Sequence, residues 1–190
     1  LNYPYGVEEL RDEIKLEMKK LGKDVTPKIL CELIDVVNPE WKNAVEGYLN
    51  TQRFYLLVDE EDFDYSLRIY ERKSKVKKIY STGLVNLKGL ERYSECDKNS
   101  LAEVVTSESE GAKRYINMIL GRVIKCDTVD ELKNYNVSIT KTCMTYQNNV
   151  AKKINPKIIT ISINNVLFCF KYNGISSTIC FIDLFLDFFT

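Results

Sequence analysis

One pattern in this chain recurs at a fixed spacing of 68 residues, and it limits the available folds more than any other feature. Leu33 and Leu101 stand that far apart, as do Val36-Val37 and Val104-Val105, and Asp35 and Glu103. So do Glu40 and Glu108, Ala44 and Ala112, Asp59 and Asp127, and Asp62 and Asp130. Identity between the copies is weak, but their punctuation agrees. Each copy reads as an apolar stretch, a helix, an apolar strand, an aspartate and a further helix. That order predicts a duplicated α/β unit whose copies pack about an approximate internal two-fold.

Local signals place the elements. Val7, Leu10, Ile14, Met18 and Leu21 fall at 3- and 4-residue steps and predict an amphipathic helix ended by Gly22. This pattern suits the end of a coiled-coil arm or an ordinary surface helix. Asn38 and Pro39 predict an N-cap and first helical residue, with Trp41, Ala44, Val45, Tyr48 and Leu49 on one face. Residues 54–58 (FYLLV) predict a buried strand, and Asp59 an N-cap for a helix reaching about Tyr70. Residues 79–87 have a strand-like composition, and 90–100 read as a loop. In the second copy, Ser107-x-x-Glu110 fits a capping box before a helix bearing Ala112, Tyr115, Ile116 and Ile119. Residues 122–126 predict a strand, Asp127 a cap, Leu132 a short helix, and 137–140 a strand.

Composition excludes several kinds of chemistry. The chain has 190 residues, with 27 Lys+Arg, 27 Asp+Glu and no histidine. Ser-His-Asp, Cys-His and His-containing zinc sites are therefore absent. Zero net charge argues against a wholesale polyanion binder but permits a local basic patch. The six cysteines form no C-x-x-C pair, and reduced, buried thiols are expected. No G-x-x-x-x-G-K-[ST] loop is present, so ATP hydrolysis is not expected of this segment. No catalytic residue, cofactor or metal site is expected. The chain begins at Leu1 without methionine and is expected to be cut from a longer protein.

Three groupings carry a functional and a structural reading. The basic residues Arg72, Lys73, Lys75, Lys77 and Lys78 would contact DNA phosphates, or would form a solvated helix end. Asp59 to Asp62 with Asp64 would hold a divalent metal, but first-turn capping is the favoured reading. Trp41, Tyr48, Phe54 and Tyr55 would stack single strands, but Trp41, Tyr48 and Phe54 are expected in the core.

The repeat resembles the hinge domain of SMC-type coiled-coil ATPases, which is built from two pseudo-symmetric α/β subdomains. It is more closely similar to the hinge of the SMC-like subunit of bacterial Wadjet anti-plasmid systems and its MukB-like relatives. The residues that carry this begin with Glu40-Trp41-x-x-Ala44-Val45-Glu46-Gly47-Tyr48-Leu49, Gln52-Arg53-Phe54 and Gly83-Leu84-Val85. They continue with Ser100-Leu101-Ala102-Glu103, Tyr115-Ile116, Leu120-Gly121-Arg122-Val123 and Asp130-Glu131-Leu132. Ile139-Thr140 and Cys143-Met144-x-Tyr146-Gln147 complete them, so that the resemblance covers residues 25–156. It implies a homodimer formed through the hinge at the far end of a coiled-coil arm, in a parent ATPase with kleisin-type partners. It also implies a cytoplasmic, nucleoid-associated protein of chromosome organisation or plasmid defence, without a membrane partner. The chain lacks the Gly-Gly pair of condensin and cohesin hinges, so the interface residues remain unknown.

The expected class is α+β, with two pseudo-repeated α/β subdomains and an N-terminal helix from the coiled-coil junction. Residues 1–27 would form the arm junction, 28–90 subdomain I and 91–156 subdomain II. Residues 157–190 change character: six of the eight phenylalanines lie there, with only Lys157, Lys171, Asp183 and Asp187 charged. This tail would supply extra strands at 158–163 and 166–172, or is the product of a frameshift. The alternative function is a stand-alone nucleic-acid-binding α/β domain using the 72–78 run.

Overall fold

The computed structural model describes residues 3–155, and the expectations for the tail lie outside them. Helix α1 (Val7–Lys20) buries Val7, Leu10, Ile14 and Met18 completely, because their spacing places them on one face. Each contributes about 1.5–3 kcal/mol of burial. Leu21, expected on that face, lies just past the last turn and is exposed. Gly6 starts the helix at φ +89°, and its N–H donates to the Glu9 carboxylate at 3.0 Å. A Cβ at Gly6 would lie 2.8 Å from the Ile79 side chain, so close approach also selects glycine.

Strand β1 (Lys28–Ile29), the single turn α2 (Leu30–Leu33) and strand β2 (Asp35–Val36) follow. The Asn38 side chain accepts from the Glu40 N–H at 3.0 Å, and Pro39 opens a 3-10 turn leading into α3 (Lys42–Leu49). A second 3-10 turn, Asn50–Phe54, delays strand β3 to Leu56–Val58. Phe54 is therefore buried but not in the strand. Helix α4 (Glu60–Lys77) passes well beyond the expected end at Tyr70. Its last turns lack apolar periodicity but are rich in Arg, Lys and Glu, which are good helix formers. Lys73 ties them to α1 by donating to Glu13 at 2.6 Å. Strand β4 (Leu84–Asn86) closes the first copy.

The second copy contains a 3-10 turn at Leu101–Val104, β5 (Val105–Thr106), α5 (Glu110–Leu120) and β6 (Ile124–Cys126). A 3-10 turn at Leu132–Asn134 leads to β7 (Val137–Thr140), β8 (Met144–Gln147) and β9 (Val150–Lys153). The expected capping box is displaced: Ser109, not Ser107, accepts from the Ala112 N–H at 3.3 Å. Ser107 instead donates to the Leu33 carbonyl at 2.6 Å, joining the two copies. Asp127 caps no helix. The Glu131 carboxylate folds back to accept from the Asp127 N–H and the Thr128 hydroxyl, closing a tight turn.

The sheets are ordered β1-β3-β4 and β6-β7-β8-β9, and β2 pairs with β5. The β3–β4 and β6–β7 pairs are parallel, and the others are antiparallel. Helices α3 and α5 start 68 residues apart, as do β3 and β6. Beyond Asp127 the correspondence shortens. Leu84, the partner of Leu56, matches Ser138, the partner of Ile124, about 54 residues on. The 18-residue α4 has given way to a three-residue turn. The copies meet where Val36 pairs with Val105 and Asp35 with Thr106. Antiparallel pairing of equivalent strands is the arrangement a local two-fold produces. One core runs through both copies, including Ile34, Val45, Leu49, Phe54, Leu101, Val105, Ile116, Leu120 and Ile139. The architecture is α+β.

Candidate interaction surfaces

The structure divides the basic run. Arg72 lies 3.2 Å from Glu17 and 3.7 Å from Glu13, and Lys73 lies 2.6 Å from Glu13, so both turn toward α1. Lys75 pairs with Glu71 at 2.9 Å on the exposed face of α4. Lys77 and Lys78 are exposed, and neither forms an ion pair among the described residues. Lys78 ends α4 in a left-handed conformation, φ +51°. Val76 and Tyr80 are 77% and 83% exposed beside these lysines. Exposed Tyr5 lies at the same end, since its neighbour Gly6 approaches Ile79.

Strands at the sheet edges form a second feature. Among the described residues, β4 pairs only with β3, and β9 only with β8. Every residue of β9 is exposed, and Val150 is 57% exposed. Asn148 and Asn149, both left-handed at φ 53° and 62°, make the two-residue loop of the β8–β9 hairpin. That Asn-Asn pair was the available signal for β9, which the apolar pattern did not reveal. Beside β4 lies a groove of about 420 Å³ lined by Tyr55, Leu84, Val85, Leu90, Tyr115 and Met118. Asn86, Lys88 and Arg92 supply its polar side. Burial pushes the Tyr115 hydroxyl up to about 12.

The acidic run is split as well. Asp59, Glu60, Glu61 and Asp64 are exposed around the first turn of α4, whereas Asp62 is buried and pairs with Lys23. Lys88 lies 3.1 Å from Glu60. Asp59 has the N-cap position, but its side chain accepts no backbone N–H. Among the described residues, no group of three or more His, Cys, Asp or Glu side chains is placed to hold a metal.

The aromatic residues serve packing. Trp41 is 5% exposed, with the Lys125 and Lys141 ammonium groups 5.9 and 5.8 Å from its ring centroid. It joins the two copies rather than offering a free stacking face. Phe54 is fully buried, while Tyr48 and Tyr55 pack against the core partly buried. Cys31, Cys126 and Cys143 are buried, and burial raises their thiols, Cys31 to about 12. They stay protonated near neutrality and are poor nucleophiles. Sequence reasoning missed the buried pair of Glu46 and Arg53, 3.3 Å apart. Its signal lay within the Glu46-Gly47-Tyr48-Leu49 and Gln52-Arg53-Phe54 runs. Burial lowers the Arg53 pKa against the opposing pull of Glu46, and its guanidinium lies 5.1 Å from the Phe54 ring centroid.

No protein-family model matches the chain, and no curated protein matches its sequence. Among solved structures, it is similar to the Geobacillus stearothermophilus SMC hinge domain, solved as an asymmetric dimer. The TM-score is 0.57 at 16% identity, over 85% of this chain and 74% of that one. The Pyrococcus furiosus SMC hinge domain gives 0.56 at 12% identity, over 96% and 100%. A chain of the folded elbow of cohesin gives 0.60 at 16% identity, over 85% of this chain but 23% of that one. The chain thus has the fold of an SMC hinge domain.

Proposed function

We propose that this chain is the hinge and dimerisation module of an SMC-like ATPase acting on DNA, with no catalysis of its own. The observation that carries this reading is the fold likeness to SMC hinge domains, one of which was solved as a dimer. Edge strands such as β4 and β9 supply unpaired backbone groups of the kind that strand addition between chains uses. The Glu40–Leu49 run favours a Wadjet-type or MukB-like parent, in plasmid defence or chromosome organisation, over a condensin or cohesin. Kleisin-type partners, a nucleoid-associated cytoplasmic location and the distant ATPase head belong to that parent. Sedimentation of the full chain over a concentration series tests the reading. A DNA-independent dimer is expected; a monomer at every concentration overturns it.

A DNA contact at the end of α4 is the second reading. It is favoured by exposed Lys75, Lys77 and Lys78 standing beside exposed Tyr80 and Val76, a mixture of cations and apolar surface that suits phosphates and bases. Arg72 and Lys73 contribute less, because α1 already occupies them. Reversing Lys75, Lys77 and Lys78 to glutamate is expected to weaken DNA binding and flatten its salt dependence. Unchanged binding across a salt series removes this site.

A further inference from the structure

Helix α1 sets carboxylates against part of the basic run. Glu13 lies 3.7 Å from Arg72 and 2.6 Å from Lys73. Glu17 lies 3.2 Å from Arg72 and also pairs with Lys20. Hydrogen bonds from Lys20 first, and then Arg72, hold the Glu17 carboxyl below the usual carboxylate range. Two carboxylates thus engage three cations drawn from two helices. Their seat on α1 is firm, because the neighbouring Ile14 and Met18 are fully buried. The pairs themselves stand open to solvent: the side chains of Arg72 and Lys20 are 60% and 61% exposed. Ion pairs so exposed contribute little to stability, so a phosphate is able to replace a carboxylate without the helices separating. Arg72 and Lys73 also lie one turn before Lys75, Val76 and Lys77 on α4. Once released, they extend the exposed basic surface at the helix end without a break.

We infer that Glu13 and Glu17 are built-in competitors for phosphate, which occupy Arg72, Lys73 and Lys20 and so restrain the affinity of the α4 surface for a nucleic-acid backbone. A weak contact uses Lys75, Lys77 and Lys78 alone. A full contact requires backbone phosphates to displace both carboxylates, while α1 itself stays seated. The inference rests on the reading of the α4 end as a DNA contact and adds what regulates it.

Fluorescence anisotropy of the full chain with a labelled mixed-sequence DNA duplex, over a salt series, tests it. Glu13→Gln/Glu17→Gln keeps the shape of both side chains and removes their charge. Binding at about 0.1 M salt is expected to tighten about 5-fold. The slope of log affinity against log salt is expected to steepen by about 1 to 2, since each further phosphate neutralised adds about 0.9. Arg72→Gln/Lys73→Gln then separates release of these cations from a general change in net charge. In the wild-type background it is expected to weaken binding only about 2-fold, and in the Glu13→Gln/Glu17→Gln background at least about 5-fold. Circular dichroism checks each fold. Glu13→Gln or Glu17→Gln alone, with a smaller gain of the same sign, replaces a double form that fails to fold. Affinity that is unchanged or lower without the carboxylates, or equal losses in the two backgrounds, overturns the masking and leaves the DNA contact standing. Failure of every form to bind at low salt, the wild type included, overturns both.

Discussion

The two copies follow one plan as far as Asp59 and Asp127 and then part. In the first, a buried pair, Glu46 and Arg53, lies within the core. At the equivalent places the second has Arg114, which pairs with exposed Glu110, and Gly121. The first covers its sheet with α4 and docks α1 against that helix, whereas the second has a three-residue turn and spends its remaining length on the β8–β9 hairpin. The shared portion builds the joint core, and the divergent portions build different surfaces. The first copy gains a helical flank with acidic and basic ends, and the second an open, basic strand edge. Duplication supplied a scaffold, and loss of the symmetry gave its two halves different surfaces.

Breaking what only the first copy has should have the largest effects. Arg53→Ala leaves Glu46 buried without its cation and is expected to cost about 3–5 kcal/mol in denaturant unfolding. A double replacement by apolar residues of similar volume should recover much of that loss, whereas failure to recover would show that the pair does more than compensate its own burial. Ile14→Ala in α1 is expected to cost about 2–5 kcal/mol, since the residue is fully buried in the common core. A loss confined to local fraying of α1, read by amide exchange, would show that helix to be an appendage instead.

Cys31 gives a pH test of the same half. Burial raises its thiol from 9.0 to about 12, so the folded chain keeps a proton that the unfolded chain releases. Its contribution is fully present below about pH 9 and lost as pH rises toward 12, on the order of 4 kcal/mol. Unfolding midpoints measured over that window should fall less steeply in Cys31→Ala. The smallest effects compare the two copies directly. Asn38→Ala and Ser109→Ala each remove a side chain that accepts a free N–H at a helix start, and each should cost about 1 kcal/mol. Ser107→Ala should also destabilise, through the lost bond to Leu33, and a silent result would remove that link between the copies.

How much was legible depended on how local the cause was. The α1 face, the Asn38-Pro39 start and the strand at 137–140 follow from spacing and backbone chemistry within a few residues. The far end of α4 did not, because its polar turns are held partly by Glu13 and Glu17, more than fifty residues away. Strand β9 has little apolar signal, since it pairs by backbone at an exposed edge. Of the basic run, only the composition was readable. Which cations face α1 and which face solvent is a matter of helix orientation.

The sequence by itself determined the duplicated α/β plan, the absence of histidine chemistry and the apolar faces, because periodicity and residue type act through neighbouring positions. The tertiary structure alone decided that Ser107 binds Leu33, that two lysine ammonium groups approach the Trp41 ring, and that β4 and β9 lie at sheet edges. Those features join residues distant in the chain, and only the packing of the two copies brings them together.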